Sequence, residues 1–338
     1  MHSVQGILAN RLQDLDFEGV PPGSREKLQT RMRAQHIFTL SMTAELFRIL
    51  DDFAAAAIEV IVIKGPVTSA VAYGDPAMRS FGDIDLLLRE RDIARASHAM
   101  QALGFAATVS DSAIEAGKIP GEYVFKRPST NHMVEIHTEQ TFRYYPKGVP
   151  IEAMFRGKRE ILLEGRRVPA LSLTDEMVFH CVHGAKDFWE RLVWICDVSA
   201  LVLNHPELDW QEIQQVATNC GASRMLNVGL LLAHRSLAAP FPYDLAAILE
   251  RDRVSEKLCT EIEAWLPFGA GAPPSLIDRA FYRTRIAGGG IAGIGYLLRL
   301  SLSPTEEDWQ KNTQQKRSWF WDALRRPFRL MRKYGSEN

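Results

Sequence analysis

The chain has 338 residues, of which 46% are hydrophobic and 24% are charged, a composition typical of a globular protein with room for two domains. Lys and Arg total 40 and Asp and Glu total 41, so the formal charge of -1 excludes a global attraction to nucleic acid or membrane. The four dispersed cysteines, and the lack of a signal-peptide or long apolar pattern, lead us to expect reduced thiols, a cytoplasmic location and no transmembrane segment.

The patterning changes from helical to strand-like near residue 58. Apolar residues recur at roughly helical spacing between Ser24 and Ala57, which predicts helices there. A β-branched run from Val60 to Ile63 then stops at Lys64-Gly65-Pro66, as a buried strand that ends in a glycine turn does. A short helix is predicted from Val67 to Tyr73, where Gly74-Asp75-Pro76 breaks the pattern.

The following segment predicts the rest of an α/β layer. Asp83–Leu88 indicates a second strand, and Asp92–Leu103 has the composition of a helix. Glu122–Arg127 and Met133–Thr138 are predicted to be two strands, joined by a turn at residues 128–131. This alternation of helices and strands indicates a mixed sheet.

The second half of the chain is predicted to be helical. Thr174-Asp175-Glu176 has the pattern of a helix start, and apolar periodicity continues to about Leu237. We therefore expect four parts: an N-terminal helical segment that packs on the core (1–57), an α/β core (58–165), a helical domain (166–315) and a basic aromatic C-terminal tail (316–338).

Two acidic residues, Asp83 and Asp85, lie two positions apart on the second predicted strand. Side chains at this spacing point to the same face, so the two carboxylates can converge while Ile84 and Leu86 pack behind them. Two such carboxylates repel each other unless a cation neutralises them. Mg²⁺ fits because it prefers oxygen ligands and shares its shell with substrate phosphates, which predicts a centre for phosphoryl or nucleotidyl transfer. The alternative is a pair of solvent-facing acids at a strand end.

A third carboxylate is predicted from the strand Met133–Thr138. Met133, Glu135 and His137 alternate onto one face, so Glu135 can share a metal or act as a general base. Glu139 is the second choice for this position. The alternative is that Glu135 faces water on an edge strand.

Gly65 is a candidate phosphate-binding residue because a glycine there lets backbone N–H groups and a helix N-terminus approach phosphate oxygens. Lys64 would meet a triphosphate as a point charge and Arg79 as a planar fork. Each has a structural alternative: a turn glycine, a solvated lysine, and an arginine paired with Asp83 or Asp75.

His180 and His183 lie three apart on a predicted helix and are candidate metal ligands, with Cys196 or Asp197 completing a site such as a metal-dependent hydrolase uses. The flanking residues are apolar and the chain has no HExxH motif, which favours core packing instead. The tail from Lys316 to Lys333 interleaves basic and aromatic residues. It fits either a contact with an acidic partner, RNA or a membrane surface, or a terminal helix docked on its own protein.

The order of an apolar strand, Lys-Gly, a short helix, Asp-Pro, an arginine and DIDLLL resembles the uncharacterised bacterial nucleotidyltransferases of the DNA polymerase β superfamily. The resemblance continues through MVEIHT and HCVHGAKDFWERLVWICDV, and it covers about residues 24–335. It implies an α+β fold: a polymerase-β-type nucleotidyltransferase domain with a mixed sheet, followed by a mostly helical domain.

The resemblance also implies Mg²⁺, for which Mn²⁺ can substitute, and transfer of a nucleoside monophosphate from an NTP such as ATP to an acceptor hydroxyl. Asp83 and Asp85 match the metal-binding pair of the family, and Glu135 matches the later acidic position. The acceptor stays open between peptide, protein, RNA and small molecule. Gly65-Pro66 departs from the usual Gly-Ser or Gly-Gly, and the proline removes one phosphate-facing N–H. A non-catalytic module that binds a nucleotide or a partner on the same fold is the alternative.

Overall fold

The computed structural model describes residues 2–115, 122–139, 141–241, 243–271 and 274–302. The predicted basic tail, residues 316–338, lies outside these ranges. The described residues form one seven-stranded sheet and a mostly helical second half, which confirms the predicted α+β class. None of their helices is both long enough and apolar enough to cross a bilayer.

The elements of the described chain follow in sequence order. The strands are β1 (Ile61–Val62), β2 (Ile84–Leu87), β3 (Ala106–Ala107), β4 (Tyr123–Lys126), β5 (Met133–His137), β6 (Arg159–Leu163) and β7 (Arg166–Ala170). The α-helices are α1 (Gln5–Asp14), α2 (Pro22–Ala55), α3 (Pro66–Tyr73), α4 (Ile93–Ala102), α5 (Asp111–Glu115), α6 (Ile151–Gly157), α7 (Leu173–Lys186), α8 (Leu192–Asn204), α9 (Trp210–Asn219), α10 (Ser223–Leu237), α11 (Tyr243–Arg251), α12 (Arg253–Trp265), α13 (Leu276–Ile286) and α14 (Gly290–Leu302).

The strands are ordered β3-β4-β5-β2-β1-β7-β6 across the sheet. Strand β1 runs antiparallel to β2 and parallel to β7, and β2 runs parallel to β5, so the sheet is mixed as predicted. The β6–β7 hairpin is an addition that the sequence pattern does not predict. It turns at Glu164-Gly165, where both residues have positive φ. The proposed core limit at residue 165 falls inside this hairpin, and the four-part division of the chain remains a prediction.

The central strands β1 and β2 are apolar around Asp85. Ile61, Ile84, Leu86 and Leu87 are fully buried, because β1 and β2 lie in the middle of the sheet with neighbours on both edges. Helix α2 adds its buried residues only between Thr39 and Phe53, so its first half stays outside this core. The short central strands therefore hold their charged residues on a rigid apolar support.

The helical half docks directly on the helix that follows β1. Helix α8 packs against α3. The last residue of α8 and the residue after it bind backbone carbonyls of α3. Asn204 Nδ2 donates to the Ala72 carbonyl at 2.7 Å, and His205 Nε2 donates to the Val71 carbonyl at 2.9 Å. The sheet and the helical half thus meet near the C-terminal end of α3.

Candidate metal centre and active site

The candidate site lies on two parallel neighbouring strands. In the register of β2 and β5, Asp85 is opposite Glu135, and Leu87 is opposite His137. The Ile63 N–H donates to the Asp85 carbonyl at 3.0 Å, which ties the end of β1 to the same point. The pairing therefore places Asp85, Glu135 and His137 on one face of the sheet.

Side-chain atoms of Asp85, Glu135 and His137 all lie within 4.8 Å of one another. The distance from His137 Nε2 to Asp85 Oδ1 is 2.9 Å, and that to Glu135 Oε2 is 3.9 Å. Among the described residues, no other group of three or more Asp, Glu, His or Cys side chains lies close enough together to share a metal ion. His137 was not among the predicted site residues, although its place on the face of Glu135 was the signal for it.

The Asp85 carboxylate is fully buried, and its two oxygens have different surroundings. Lys64 Nζ and His137 Nε2 both donate to Oδ1, at 2.7 and 2.9 Å. Burial raises the pKa of Asp85, but the Lys64 ammonium and His137 lower it by more. The pKa therefore lies below its ordinary value, and the group is ionised. Oδ2 is buried and accepts no hydrogen bond from the described residues. A buried ionised oxygen without a donor is costly, and a divalent cation would satisfy it, so the donor set fits a metal.

The Asp85 charge acts on two more carboxylates, of which Glu135 belongs to the group of close ligand atoms and Asp83 does not. Asp83 lies just before β2 and is half-buried, and burial together with the Asp85 charge raises its pKa to about 6. Burial, Asp85 and Glu122 raise the pKa of Glu135 to about 9. Both shifts arise first from burial and then from repulsion by neighbouring carboxylates. Divalent cation binding would relieve this repulsion.

Glu139, the second choice for the third acid, lies outside the cluster. It follows β5 and is exposed, and its carboxylate accepts a hydrogen bond from the Glu90 N–H at 3.3 Å. Glu122, which the sequence pattern did not single out, lies nearer: its Oε1 is 3.8 Å from His137 Nδ1. Burial raises the pKa of Glu122, but His137 and Lys186 lower it by more, so the pKa lies below its ordinary value.

The Lys64 ammonium forms an ion pair with Asp85 and is not exposed to open solvent. Burial lowers the pKa of Lys64, but the contact with Asp85 outweighs that effect and raises the pKa to about 12. Its Nζ also lies 6.0 Å from the centre of the Phe179 ring, on α7. In this arrangement Lys64 is a partner of the Asp85 carboxylate, and its contact with phosphate stays a prediction.

Gly65 has φ 70° and ψ -135° and precedes the first residue of α3. This backbone conformation favours glycine. A Cβ at this position would lie 3.3 Å from the Asp83 carbonyl oxygen and 3.8 Å from the Phe81 ring. The turn therefore brings the N-terminus of α3 close to the Asp83 backbone.

Arg79 pairs with neither Asp83 nor Asp75. Its Nε donates to Asp197 Oδ2 of α8 at 2.8 Å, and both side chains are buried. Asp75 accepts instead from the Ala77 N–H at 2.8 Å, in the loop that precedes β2. The expected structural partners of Arg79 were wrong because its actual partner lies 118 positions further along the chain.

A model of the family described as "Uncharacterised nucleotidyltransferase" matches residues 1–238 of this chain. The chain belongs to the uncharacterised nucleotidyltransferase family. Among curated proteins, none matches it. The crystal structure of an antigenic nucleotidyltransferase-like protein from Paracoccidioides brasiliensis is similar at 16% identity, covering 61% of this chain and 91% of that one. The TM-score of that likeness, 0.37, is too low for it to support an argument.

The two helical histidines belong to the packing between α7 and α8. His183 lies edge-on to the Trp194 ring, with centroids 5.3 Å apart, and His180 Nε2 is 3.7 Å from Glu176 Oε1. Burial and the Lys64 charge hold the pKa of His183 well below its ordinary value, so it is neutral. In the described parts of the chain, no group of three metal-ligating side chains includes either histidine.

Two cavities adjoin the elements that carry the site. One of about 40 Å³ lies beside Lys64 and His137 and is walled by Tyr144 and Lys186, so it has room for water and not for a nucleotide. The other, of about 670 Å³, lies between α1, α2 and residues 75–80 and has the size of a small-molecule site.

Proposed function

We propose that this protein is a divalent-metal-dependent nucleotidyltransferase that moves a nucleoside monophosphate from an NTP to an acceptor hydroxyl. The observation that carries the proposal is the buried Asp85 carboxylate, with one oxygen bound by two donors and the other left without a donor, close to Glu135. Family membership supports the reaction class. The acceptor is a peptide, protein, RNA or small molecule.

Asp83, Asp85 and Glu135 would hold Mg²⁺, with Mn²⁺ as a substitute. When bound, such a cation supplies charge neutralisation for the phosphate oxygens and lowers the pKa of the attacking hydroxyl. Lys64 and His137 keep Asp85 ionised and fix its orientation through Oδ1.

The remaining residues of the proposal align the substrates. Gly65 opens the N-terminus of α3 to the triphosphate, and Arg79 offers guanidinium N–H groups to it. The acceptor oxygen attacks the α-phosphorus, the bond to the bridging oxygen breaks, and pyrophosphate leaves. Glu135 either binds the cation or accepts the proton of the acceptor hydroxyl. Such catalysis consists mainly of alignment and charge neutralisation.

The test is incubation of the purified full-length chain with each α-labelled NTP, Mg²⁺ and cell extract, followed by identification of the labelled product. We expect label from at least one NTP on a defined acceptor, and none with Asp85→Asn. Glu139→Gln is the matched control, because Glu139 is an exposed acid from the same strand end and lies outside the cluster. Equal labelling by wild type and Asp85→Asn would refute the proposal.

One observation favours a second candidate, a module that binds nucleotide without turnover. The Lys64 ammonium already neutralises one charge of Asp85, so the site is tolerable without a cation. For such a module, NTP would bind equally well with EDTA and with Mg²⁺, and no acceptor would be labelled. Calorimetric titration of NTP in both buffers distinguishes the two candidates.

A further inference from the structure

Arg79 is held at two points by the surrounding structure. Its N–H donates to Ser69 Oγ at 2.9 Å, and the Ser69 hydroxyl donates to the Asp75 carbonyl at 2.6 Å. Its Nε donates to Asp197 at 2.8 Å. Backbone and side chain are both fixed, and only 7% of Arg79 is exposed. The guanidinium therefore has one orientation in this fold.

Asp197 uses both of its carboxylate oxygens for this arrangement. Oδ2 accepts from Arg79, and Oδ1 accepts from the Tyr73 hydroxyl at 2.8 Å. Asp197 is fully buried on α8, while Arg79 and Tyr73 come from the sheet half. A carboxylate with two donors and no exposure has no capacity left for a ligand of its own.

Two of the three guanidinium nitrogens of Arg79 take no part in these contacts. Among the described residues, its two terminal amino groups have no hydrogen-bond partner. Arg79 is four positions before Asp83, so their Cα atoms are at most about 15 Å apart. The Arg79 charge also acts on Asp83 and Asp85, as their mutual effects on pKa show. A planar guanidinium with free N–H groups matches phosphate oxygens in pairs.

We propose that Asp197 is a positioning residue for triphosphate binding. It holds Nε of Arg79 so that the remaining N–H groups point at the phosphates of the substrate, and it makes α8 of the helical half part of the substrate site. This inference rests on the proposed function for the phosphate ligand, and it adds a residue and a helix to which that function assigns no role.

A buried ion pair can also be purely structural, and the experiment separates the two roles. The probe is inorganic tripolyphosphate with Mg²⁺, titrated calorimetrically into the full-length chain, because it needs no choice of nucleobase. Thermal unfolding of each variant is recorded alongside. Tyr73→Phe is the matched control, since it removes one hydrogen bond to Asp197 and keeps the pair with Arg79.

Arg79→Met is expected to weaken tripolyphosphate binding by roughly 10- to 100-fold, the usual loss for charge-assisted hydrogen bonds. Asp197→Asn is expected to weaken it in the same direction, and Tyr73→Phe to leave it within about twofold. Adding Asp197→Leu to Arg79→Met is expected to change the affinity no further, because Asp197 acts through the guanidinium. Where Asp197→Asn does not fold, Asp197→Glu keeps the charge, displaces the guanidinium and is expected to weaken binding.

Wild-type affinity in a folded Asp197→Asn or Asp197→Glu protein would overturn the proposal. So would a further loss from Asp197→Leu once Arg79 is already Met, or a wild-type chain that binds no tripolyphosphate. Failure of the proposed function is a separate outcome: the affinity pattern would hold, and no labelled NTP would be transferred to any acceptor.

Discussion

Asp85 and Asp197 are both fully buried, and each is paired with a cation, at 2.7 Å for Lys64 and 2.8 Å for Arg79. They differ in the second oxygen. Asp197 fills its second oxygen with the Tyr73 hydroxyl, whereas Asp85 leaves one oxygen without a donor in the described structure. The difference teaches that burial and an ion pair do not mark a ligand site. The unsatisfied oxygen of Asp85 favours one, because it belongs to a buried charged group that lies next to Glu135 and His137.

The largest effect that tests this comparison is expected from Asp85→Asn. The amide keeps the size and loses the charge, so Mn²⁺ binding and nucleotidyl transfer should both be abolished while the chain stays folded. Asp83→Asn should have the same effect on transfer. Calorimetric titration of Mn²⁺ and the labelled-NTP assay measure it. If both variants kept wild-type turnover, the assignment of these carboxylates would be wrong.

Asp197→Asn should differ from Asp85→Asn by also lowering stability, in addition to the weaker tripolyphosphate binding expected above. It leaves the Arg79 guanidinium buried and unpaired, which typically costs about 3–5 kcal/mol in the free energy of unfolding. Replacing both partners, as in Arg79→Met with Asp197→Leu, should recover most of this loss. Urea unfolding midpoints measure both. A single variant as stable as the wild type would show that the pair does not hold α8 on α3.

The carboxylate cluster predicts how stability depends on pH. The pKa of Glu135 is raised from an ordinary 4.5 to about 9, so the folded chain binds a proton that the unfolded chain releases. This contribution is present below pH 4.5 and is lost as pH rises towards 9. In EDTA the thermal midpoint should therefore fall over this interval, and less so in Glu135→Gln.

Mn²⁺ should reverse that trend, because it binds the deprotonated cluster. At a hundredfold excess over its Kd the cation should add about 2.7 kcal/mol, and the gain should grow with pH. Melting curves at pH 5.5, 7 and 8.5, with EDTA or Mn²⁺, check this. An identical pH slope for Glu135→Gln would contradict the origin assigned to it.

The smallest effect is expected from Tyr73→Phe, which removes one donor from Asp197. A single buried hydrogen bond to a charged group contributes about 1.5–3 kcal/mol, and the retained pair with Arg79 places the loss at the lower end of that range. Mn²⁺ affinity should not change. Unfolding in urea gives the first quantity and calorimetry the second, and a changed Mn²⁺ affinity would mean that the two carboxylates are not independent.

Local pattern was sufficient to predict much of the sheet. The β-branched run before Lys64, the strand with Asp85 and the strand with Glu135 were recognisable because alternation and turn residues act over a few positions. The alternation within each strand also indicated which side chains share a face with Asp85 and which share one with Glu135. The structure pairs these two residues across neighbouring strands. Their predicted roles as metal ligands still await measurement.

The sequence pattern did not predict the contacts between residues that lie far apart in the chain. The contact of Lys64 with Asp85 depends on β1 and β2 lying antiparallel, which periodicity does not specify. The partner of Arg79 lies 118 positions away on a helix of the other half. The β6–β7 hairpin had a local signal in Gly165, but its short strands mix charged and apolar residues and gave no clear alternation.

The parallel pairing of β2 with β5 has a consequence for the order of folding. Asp85 and Glu135 are opposite each other but are 135 - 85 = 50 positions apart in the chain. Such a contact closes a long loop and forms slowly compared with helices and hairpins. A register slip of one residue would turn Glu135 and His137 to the opposite face. The ability to capture a cation is therefore expected to appear in the last phase of refolding, after helix formation, and stopped-flow measurements with Mn²⁺ present would time it.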